Sequence, residues 1–376
     1  MKSISDKENY DNNELFIVLK YLTKSHLYVN LTHLKHNYET IRKITKGSNV
    51  IGIVKGDGYG HGMIECSKTL LKTGCKSLYV ANINDSIQLR RKFKTVKIYV
   101  LSGAINNREF QTLERYKITP IINNYDQLKI IENFNVNKKI NAVIHIDTGM
   151  NRMGFKPQNF LDIKHSLKRI NVEFFMSHFT SADEKDKKNC NHQLRELLKL
   201  NKSFNYKLSI ANSSGCFLNS NYHLDYVRPG KSLYGMNPFK KETHNLKQVA
   251  SLYAPIIQTS YANKNETIGY GKTFKAKKRI KTATINFGYA NGYLRSGSNK
   301  ASTYINNIEA KVLGRVSMDL ITIDVSNIPE KFLHLGSPVE ILGNNATYEK
   351  VSKALGTQEL ETLISLGSGT KRKYLS

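Results

Sequence analysis

The sequence predicts an α/β protein, an N-terminal (β/α)8 barrel of the TIM type followed by a mostly β domain. Three observations carry this. Between residues 49 and 230, eight short apolar runs alternate with helical or turn segments. The runs are apolar throughout, as expected of parallel strands buried on both faces. After residue 245 the alternation stops, and strand-like runs separated by Gly, Asn and Ser turns take over. Eight strand–helix units imply closure into a barrel rather than an open sheet.

The elements follow in order. "LTHLKHNYETIRKI" carries apolar residues at helical spacing. The strands are expected at 49–55, 77–82, 97–103, 118–123, 140–147, 172–179, 207–212 and 224–230. The segments after the first six, from "MIECSKTLLKT" to "DEKDKKNCNHQLRELLKL", read as helices, with "NFLDIKHSLKRI" after the fifth strand among them. "SSGCFLNS" follows the seventh as a turn. Beyond residue 245, "ASLYAPIIQTSYA", "RIKTATINFGYANGY" and "SPVEILG" read as β. "HLYVNL" at 26–31 is an isolated strand, placed with the barrel. The expected domains are therefore a polar extension over 1–25 with one short amphipathic helix, a barrel over 26–245 and a β domain over 246–376. The tail "KRKYLS" reads as a solvated end.

Composition narrows the function. The formal net charge is +27, but the lysines are scattered through "LKTGCK", "RRKFKTVK" and "KAKKRIK". No helix concentrates a basic stripe, so nucleic acid is not the expected partner. The four cysteines form no C-x-x-C pair, which argues against a zinc site and for reduced buried thiols; no metal is expected. No apolar run reaches membrane-span length, and no signal peptide precedes the first strand. A cytoplasmic protein without a membrane partner is expected.

In a barrel of this kind, chemistry sits where strands end and the following loops begin. Five unusual features fall there. Lys55 ends the first strand, Arg152 follows the fifth, His178 ends the sixth, Asn212 and Ser213 end the seventh, and Arg228 with "PGK" ends the eighth. Each alone has a structural explanation, whereas their convergence on one rim marks an active site. Ser213 with the backbone N–H groups of Gly230 and Lys231 offers the donors a phosphate needs, with glycine permitting close approach. A phosphate cradle and a lysine on one rim suggest pyridoxal phosphate held on that lysine. In "VKGDGYGHG" the glycines follow Lys55 directly, and Tyr59 can return to the phosphate. The spacing is neither a dinucleotide nor a P-loop fingerprint. His61 reads as support for the loop.

These residues resemble a known family. "VKGDGYGHG" is similar to the pyridoxal-lysine motif of alanine racemases, usually written VKAxAYGHG. The resemblance continues in order through "IDTGMNRMGF", "SHFTSADE", "ANSSG", "VRPGKSLYG", "IGYGKTF", "GYANGY" and "GRVSMD", over roughly residues 26 to 376. It implies interconversion of L- and D-alanine by two bases, supplying D-alanine for peptidoglycan. Lys55 would hold pyridoxal phosphate and act on one face, with Tyr270 on the other. Tyr270 would come from the second subunit of a head-to-tail homodimer. Arg152 and the backbone N–H of Met318 would hold the substrate carboxylate. Arg228 would bond the pyridine nitrogen, and His178 would bond Arg228 and polarise Tyr270. Tyr59, Ser213, Gly230 and Lys231 would bind the phosphate. The chemistry is coherent, because racemisation removes a proton from one face of Cα and returns one to the other. Tyrosine ordinarily titrates near pH 10 and needs cationic neighbours to act as a base.

Four departures stand out. Gly56 and Gly58 replace the motif alanines and are expected to loosen the loop. His145 stands where many members carry a carbamylated lysine, so a histidine or bound anion would have to orient Arg152. Asn291 replaces an aspartate in "GYANG". Leu366 and Gly369 lie where related tails often supply a tyrosine and an arginine. Three alternatives remain open: a broader racemase accepting, for example, serine; a decarboxylase of the same barrel type, which Arg228 argues against; and a non-catalytic pyridoxal-phosphate-binding paralogue.

Overall fold

Parallel pairing of short apolar strands produces a closed barrel. The computed structural model describes residues 22–134, 139–239 and 244–376, so the amphipathic helix expected within 1–25 lies outside the described residues. Leu31–Lys247 form one compact unit; His26–Asn30 and Gln248–Ser376 belong to another.

In the first unit the barrel strands are Asn49–Val50 with Gly52–Ile53, Ser77–Val80, Lys97–Val100, Thr119–Ile122, Ile140–His145, Ile170–Met176, Leu208–Ser209 and Tyr226–Val227. Each pairs in parallel with the next. The first strand is split at Ile51, so that Asn49–Val50 pairs with Tyr226–Val227 and Gly52–Ile53 with Leu78–Tyr79. One strand thus meets both the second and the eighth, and no edge is left.

Short loops feed helices after the second, third and fourth strands. There Asn82, Asn106 and Asn124 cap the helices Ile83–Lys92, Asn107–Arg115 and Tyr125–Asn133, each side chain accepting from an N–H three residues on. Such a cap contributes about 1 kcal/mol. The helix expected from "NFLDIKHSLKRI" is instead two 3-10 segments, Pro157–Ile163 and Ser166–Arg169. Asn159 and Ser166 are of the residue types that compete for backbone hydrogen bonds and disfavour a continuous α-helix. Inside the barrel, Glu173 accepts from Lys97 Nζ at 2.5 Å and from the Tyr99 hydroxyl at 2.8 Å.

The second unit closes a smaller antiparallel barrel. The strand Ala250–Ala262 is 13 residues long and breaks register between Ile256 and Gln258. It therefore pairs with Pro338–Leu342 along one stretch and with Ile280–Ile285 along the next. Ile321–Asp324, Ile308–Leu313 and Ser302–Ile305 complete the circuit. Helices Tyr348–Leu355 and Glu359–Gly369 follow.

Two expectations about the chain ends are corrected. His26–Asn30 belongs to this second sheet and not to the (β/α)8 barrel, pairing antiparallel with Ala250–Ala262 and parallel with Arg372–Leu375. Leu27, Tyr28 and Val29 are buried and need neighbours on both sides, which a closed barrel cannot offer. By the same pairing, the tail expected to be solvated is a strand. Leu22, in the expected polar extension, is buried and donates its N–H to Gly336 O at 2.8 Å.

Candidate active site

Lys55 follows the first barrel strand and opens a turn of unusual hand. Gly56, Asp57, Gly58 and Tyr59 have φ of 61°, 51°, 64° and 53°. This is one left-handed helical turn, closed by the Gly60 N–H on Gly56 O at 2.9 Å. A side chain in that region costs roughly 1–2 kcal/mol per residue. Gly56 and Gly58 therefore relieve strain in an ordered turn, contrary to the expectation that they loosen it. Asp57 Oδ1 accepts from Met63 N–H at 2.8 Å and ties the turn to the next helix. His61 is buried, stacks on Tyr234 at 4.6 Å and bonds the carbonyls of Gly58 and Tyr59 through Nδ1, as loop support requires.

The turn carries Tyr59 back to the eighth strand's loop. A Cβ at Gly230 would overlap the Tyr59 hydroxyl, so only glycine lets the phenol reach this position. Ser213 Oγ accepts from Gly230 N–H at 2.8 Å and from Ser232 N–H at 3.2 Å. With both N–H groups donating into its oxygen, the hydroxyl proton is left to donate elsewhere. Lys231 begins the 3-10 segment Lys231–Tyr234 next to Gly230. Tyr59, Ser213, Gly230 and Lys231 are thus brought together as expected.

Arg228 lies buried at the end of the eighth strand. It donates to Ser209 Oγ at 2.5 Å, to Ser177 O, and from Nη2 to His178 Nδ1 at 3.3 Å. Burial lowers the guanidinium pKa to about 10, so it remains cationic at neutral pH. Burial first, then the charges of Arg228, Arg152 and Lys55, hold His178 well below the ordinary histidine range. Lys55 is lowered by its burial, then by Arg152 and Arg228. The effect raises the fraction of neutral amine, the form that attacks a carbonyl.

Arg152 is held by its loop. Asp147 Oδ1 accepts from the N–H groups of Gly149 and Asn151, both at 3.0 Å, and Oδ2 pairs with Lys156 Nζ at 2.8 Å. Burial opposes the Asp147 charge, but Lys156 and these amides outweigh it and hold its pKa low. Arg152 is exposed on this loop, and its charge is felt at Lys55, Tyr79, His145 and His178.

Sequence reasoning did not single out Tyr79, Asn123, Ser177 or Ser209. Tyr79 is buried on the second strand, and burial raises its pKa to about 12 against the charges of Arg228 and Arg152. Asn123 follows the fourth strand and bonds His145. The available signal was a polar or aromatic residue at the carboxyl end of an apolar strand.

Two predicted site residues lie in the second unit. Tyr270 is 70% exposed on a 3-10 turn, flanked by Gly269 and Gly271 at positive φ. Met318 is 54% exposed, and its carbonyl accepts from Ala290 N–H at 2.9 Å. Asn291 completes that loop by accepting from Gly288 N–H at 3.1 Å. A Cβ at Gly369 would lie 2.6 Å from Asn291 O, which explains why no arginine occupies position 369.

Comparison with known proteins identifies the family and the fold. The family model described as alanine racemase, N-terminal domain, matches residues 29–238, and alanine racemase, C-terminal domain, matches 249–374. The chain belongs to the alanine racemase family. Among alanine racemases, that of Rickettsia canadensis (strain McKiel) is 37% identical over 358 residues, covering 93% of this chain and 98% of the relative. That of Rickettsia bellii (strain RML369-C) is 38% identical over 329 residues, covering 85% and 80%. The crystal structure of alanine racemase from Bartonella henselae, with covalently bound pyridoxal phosphate, superposes with a TM-score of 0.88 at 29% identity, covering 94% of this chain and 100% of that one. The biosynthetic alanine racemase from Pseudomonas aeruginosa gives 0.88 at 27% identity, covering 94% and 99%.

Proposed function

We propose that this chain, an isomerase of the alanine racemase family, interconverts L- and D-alanine on pyridoxal phosphate with Lys55 and Tyr270 as its two bases. The observation that carries the reading is the convergence around Lys55 of a glycine-opened phosphate cradle and two arginines. The residues present fit the cofactor. The Ser213 hydroxyl proton and the Tyr59 hydroxyl suit a phosphate dianion, and the neutral fraction of Lys55 suits its aldehyde. When bound, pyridoxal phosphate supplies an electron sink that makes the Cα proton of alanine acidic.

Tyr59, Ser213, Gly230 and Lys231 would hold the phosphate end, and Arg228, which keeps N–H groups beyond those given to Ser209, Ser177 and His178, would donate to the ring nitrogen. Because an arginine keeps its proton, the ring is a weaker sink than one paired with a carboxylate, which disfavours decarboxylase or transaminase chemistry. Arg152 and the Met318 N–H grip the substrate carboxylate. Lys55 Nζ would move the proton on one face and the Tyr270 hydroxyl on the other, with Arg228 supplying the charge and the neutral His178 passing its polarising effect to Tyr270 through a hydrogen bond. Tyr270, exposed in a single chain, reaches the site from the second subunit of a head-to-tail homodimer. The four cysteines are buried and none is in a disulfide, which supports a reducing compartment, the cytoplasm. There D-alanine would feed peptidoglycan synthesis.

The test is to incubate the chain with pyridoxal phosphate and L-alanine, or L-serine, and separate the products by chiral chromatography. D-alanine well ahead of D-serine is expected. Comparable amounts would assign a broader racemase, and no product with cofactor bound would overturn the reading.

A further inference from the structure

Tyr270 and Met318 ride on separate turns of the second unit, and one side chain joins the two. Tyr270 lies at the tip of a hairpin formed by Thr267–Ile268 and Phe274–Lys275. The base of the hairpin is anchored, since Ile268 and Phe274 pack on the small core of Ala262, Ala276, Ile280 and Leu313. The tip is held less firmly: Tyr270 is exposed, and Lys272 N–H reaches Gly269 O only at 3.4 Å. Against this tip lies the turn at Gly314 and Arg315, which leads into the Met318 loop. A Cβ at Gly314 would lie 2.5 Å from Ile268 O, and one at Gly271 would lie 2.8 Å from Arg315 Nη1, so both close approaches need glycine.

Asn299 spans the two turns. Its Oδ1 accepts from Gly314 N–H at 2.6 Å. Because that N–H can only donate, the other end of the amide is Nδ2, and it faces two acceptors on Thr273, Oγ1 at 3.2 Å and the carbonyl at 3.5 Å. Thr273 directly follows the Tyr270 turn. The neighbouring Ser298 Oγ accepts from Val316 N–H at 3.0 Å and donates to Arg295 O at 2.5 Å. Two N–H groups of the segment leading to Met318 thus end on Ser298 and Asn299. Asn299 has φ of 58°, a left-handed conformation that asparagine adopts more readily than most residues with a side chain. The position therefore combines a backbone that glycine could also supply with a side chain that glycine could not.

We propose that Asn299 is a positioning residue that couples the Tyr270 turn to the Met318 loop, so that the phenol and the Met318 N–H are presented in one fixed arrangement. This rests on the roles assigned to Tyr270 and Met318 above. A misplacement of about 1 Å at a reacting group costs about a hundredfold in rate, and the exposed Tyr270 side chain adds little packing within its own chain to prevent it.

The test is hydrogen–deuterium exchange, read by mass spectrometry on the full-length protein loaded with pyridoxal phosphate. Asn299→Gly keeps the backbone conformation and removes the amide. It should speed exchange about twofold to tenfold, the range for one neutral hydrogen bond, in residues 269–273 and in residues 314–318, and leave the strand Ile280–Ile285 unchanged. Thr273→Val, which alters only the Tyr270 side, should speed exchange in residues 314–318 as well. In steady-state kinetics, Asn299→Gly should lower kcat and raise KM for alanine. Asn299→Asp, which keeps an acceptor for Gly314 N–H, should bring KM back toward the wild-type value. Unchanged exchange in Asn299→Gly would overturn the proposal. So would faster exchange confined to one of the two segments, or acceleration that extends equally to Ile280–Ile285. If Asn299→Gly does not fold, Thr273→Val decides by whether residues 314–318 exchange faster. D-alanine formation is measured on the same wild-type preparation: its absence would strike the function proposed above, whereas its presence with uncoupled exchange would strike only the role of Asn299.

Discussion

Arg228 Nη2 lies 3.3 Å from His178 Nδ1 and can only donate, so the neutral imidazole carries its proton on Nε2. One arginine thus sets the tautomer of one histidine, while Asn123, whose Nδ2 donates to Leu101 O and Ile121 O and whose Oδ1 therefore accepts from His145 Nδ1, sets the opposite tautomer in His145. Arg228→Lys should break this fork, because a lysine cannot span Ser209, Ser177 and His178 together. Losing one or two charge-assisted hydrogen bonds corresponds to about tenfold to a thousandfold in kcat/KM. Steady-state kinetics on cofactor-saturated protein checks this.

Gly230→Ala should displace the Tyr59 hydroxyl, which the added Cβ would overlap. The expected result is weaker retention of pyridoxal phosphate with the fold intact. Equilibrium dialysis, alongside circular dichroism, reads both.

Glu173 sits apart from the catalytic rim and serves Lys97 and Tyr99. Glu173→Ala should lower stability by roughly 1–3 kcal/mol through the unpaired phenol and ammonium, with kcat and KM unchanged. Denaturant titration together with kinetics separates the two effects.

Much of this was legible beforehand. The eight strands and Lys55, His178, Ser213 and Arg228 announced themselves, because a polar residue at or just beyond the end of an apolar strand breaks a strong local pattern, whereas Arg152 was legible only from its place in the loop after the fifth strand. His26–Asn30 and Arg372–Leu375 were not legible as partners, since their pairing spans almost the whole chain and leaves no local periodicity. Gly56 and Gly58 were misread because composition reports flexibility, whereas φ reports a left-handed turn. The hydrogen bonds of Gln127 and Asn123 beside His145 were invisible, since only their carbonyl neighbours define which way each amide points.

Stability should fall on acidification. His145 titrates near 4 in the fold against about 6.5 when unfolded, so between these values the unfolded chain binds more protons. The associated loss begins near pH 6.5, is complete below about pH 4 and approaches about 3 kcal/mol. His178, also lowered, acts in the same direction. Melting curves recorded over this range check the sign, and His145→Gln should flatten the dependence.

The most direct measurement mixes two inactive variants, Lys55→Ala and Tyr270→Phe, with subunit exchange proved by co-purification of differently tagged chains. A shared site predicts recovery of about a quarter of wild-type activity, because half the dimers are mixed and each carries one intact site. No recovery despite proven exchange would contradict a site built from Lys55 of one chain and Tyr270 of the other.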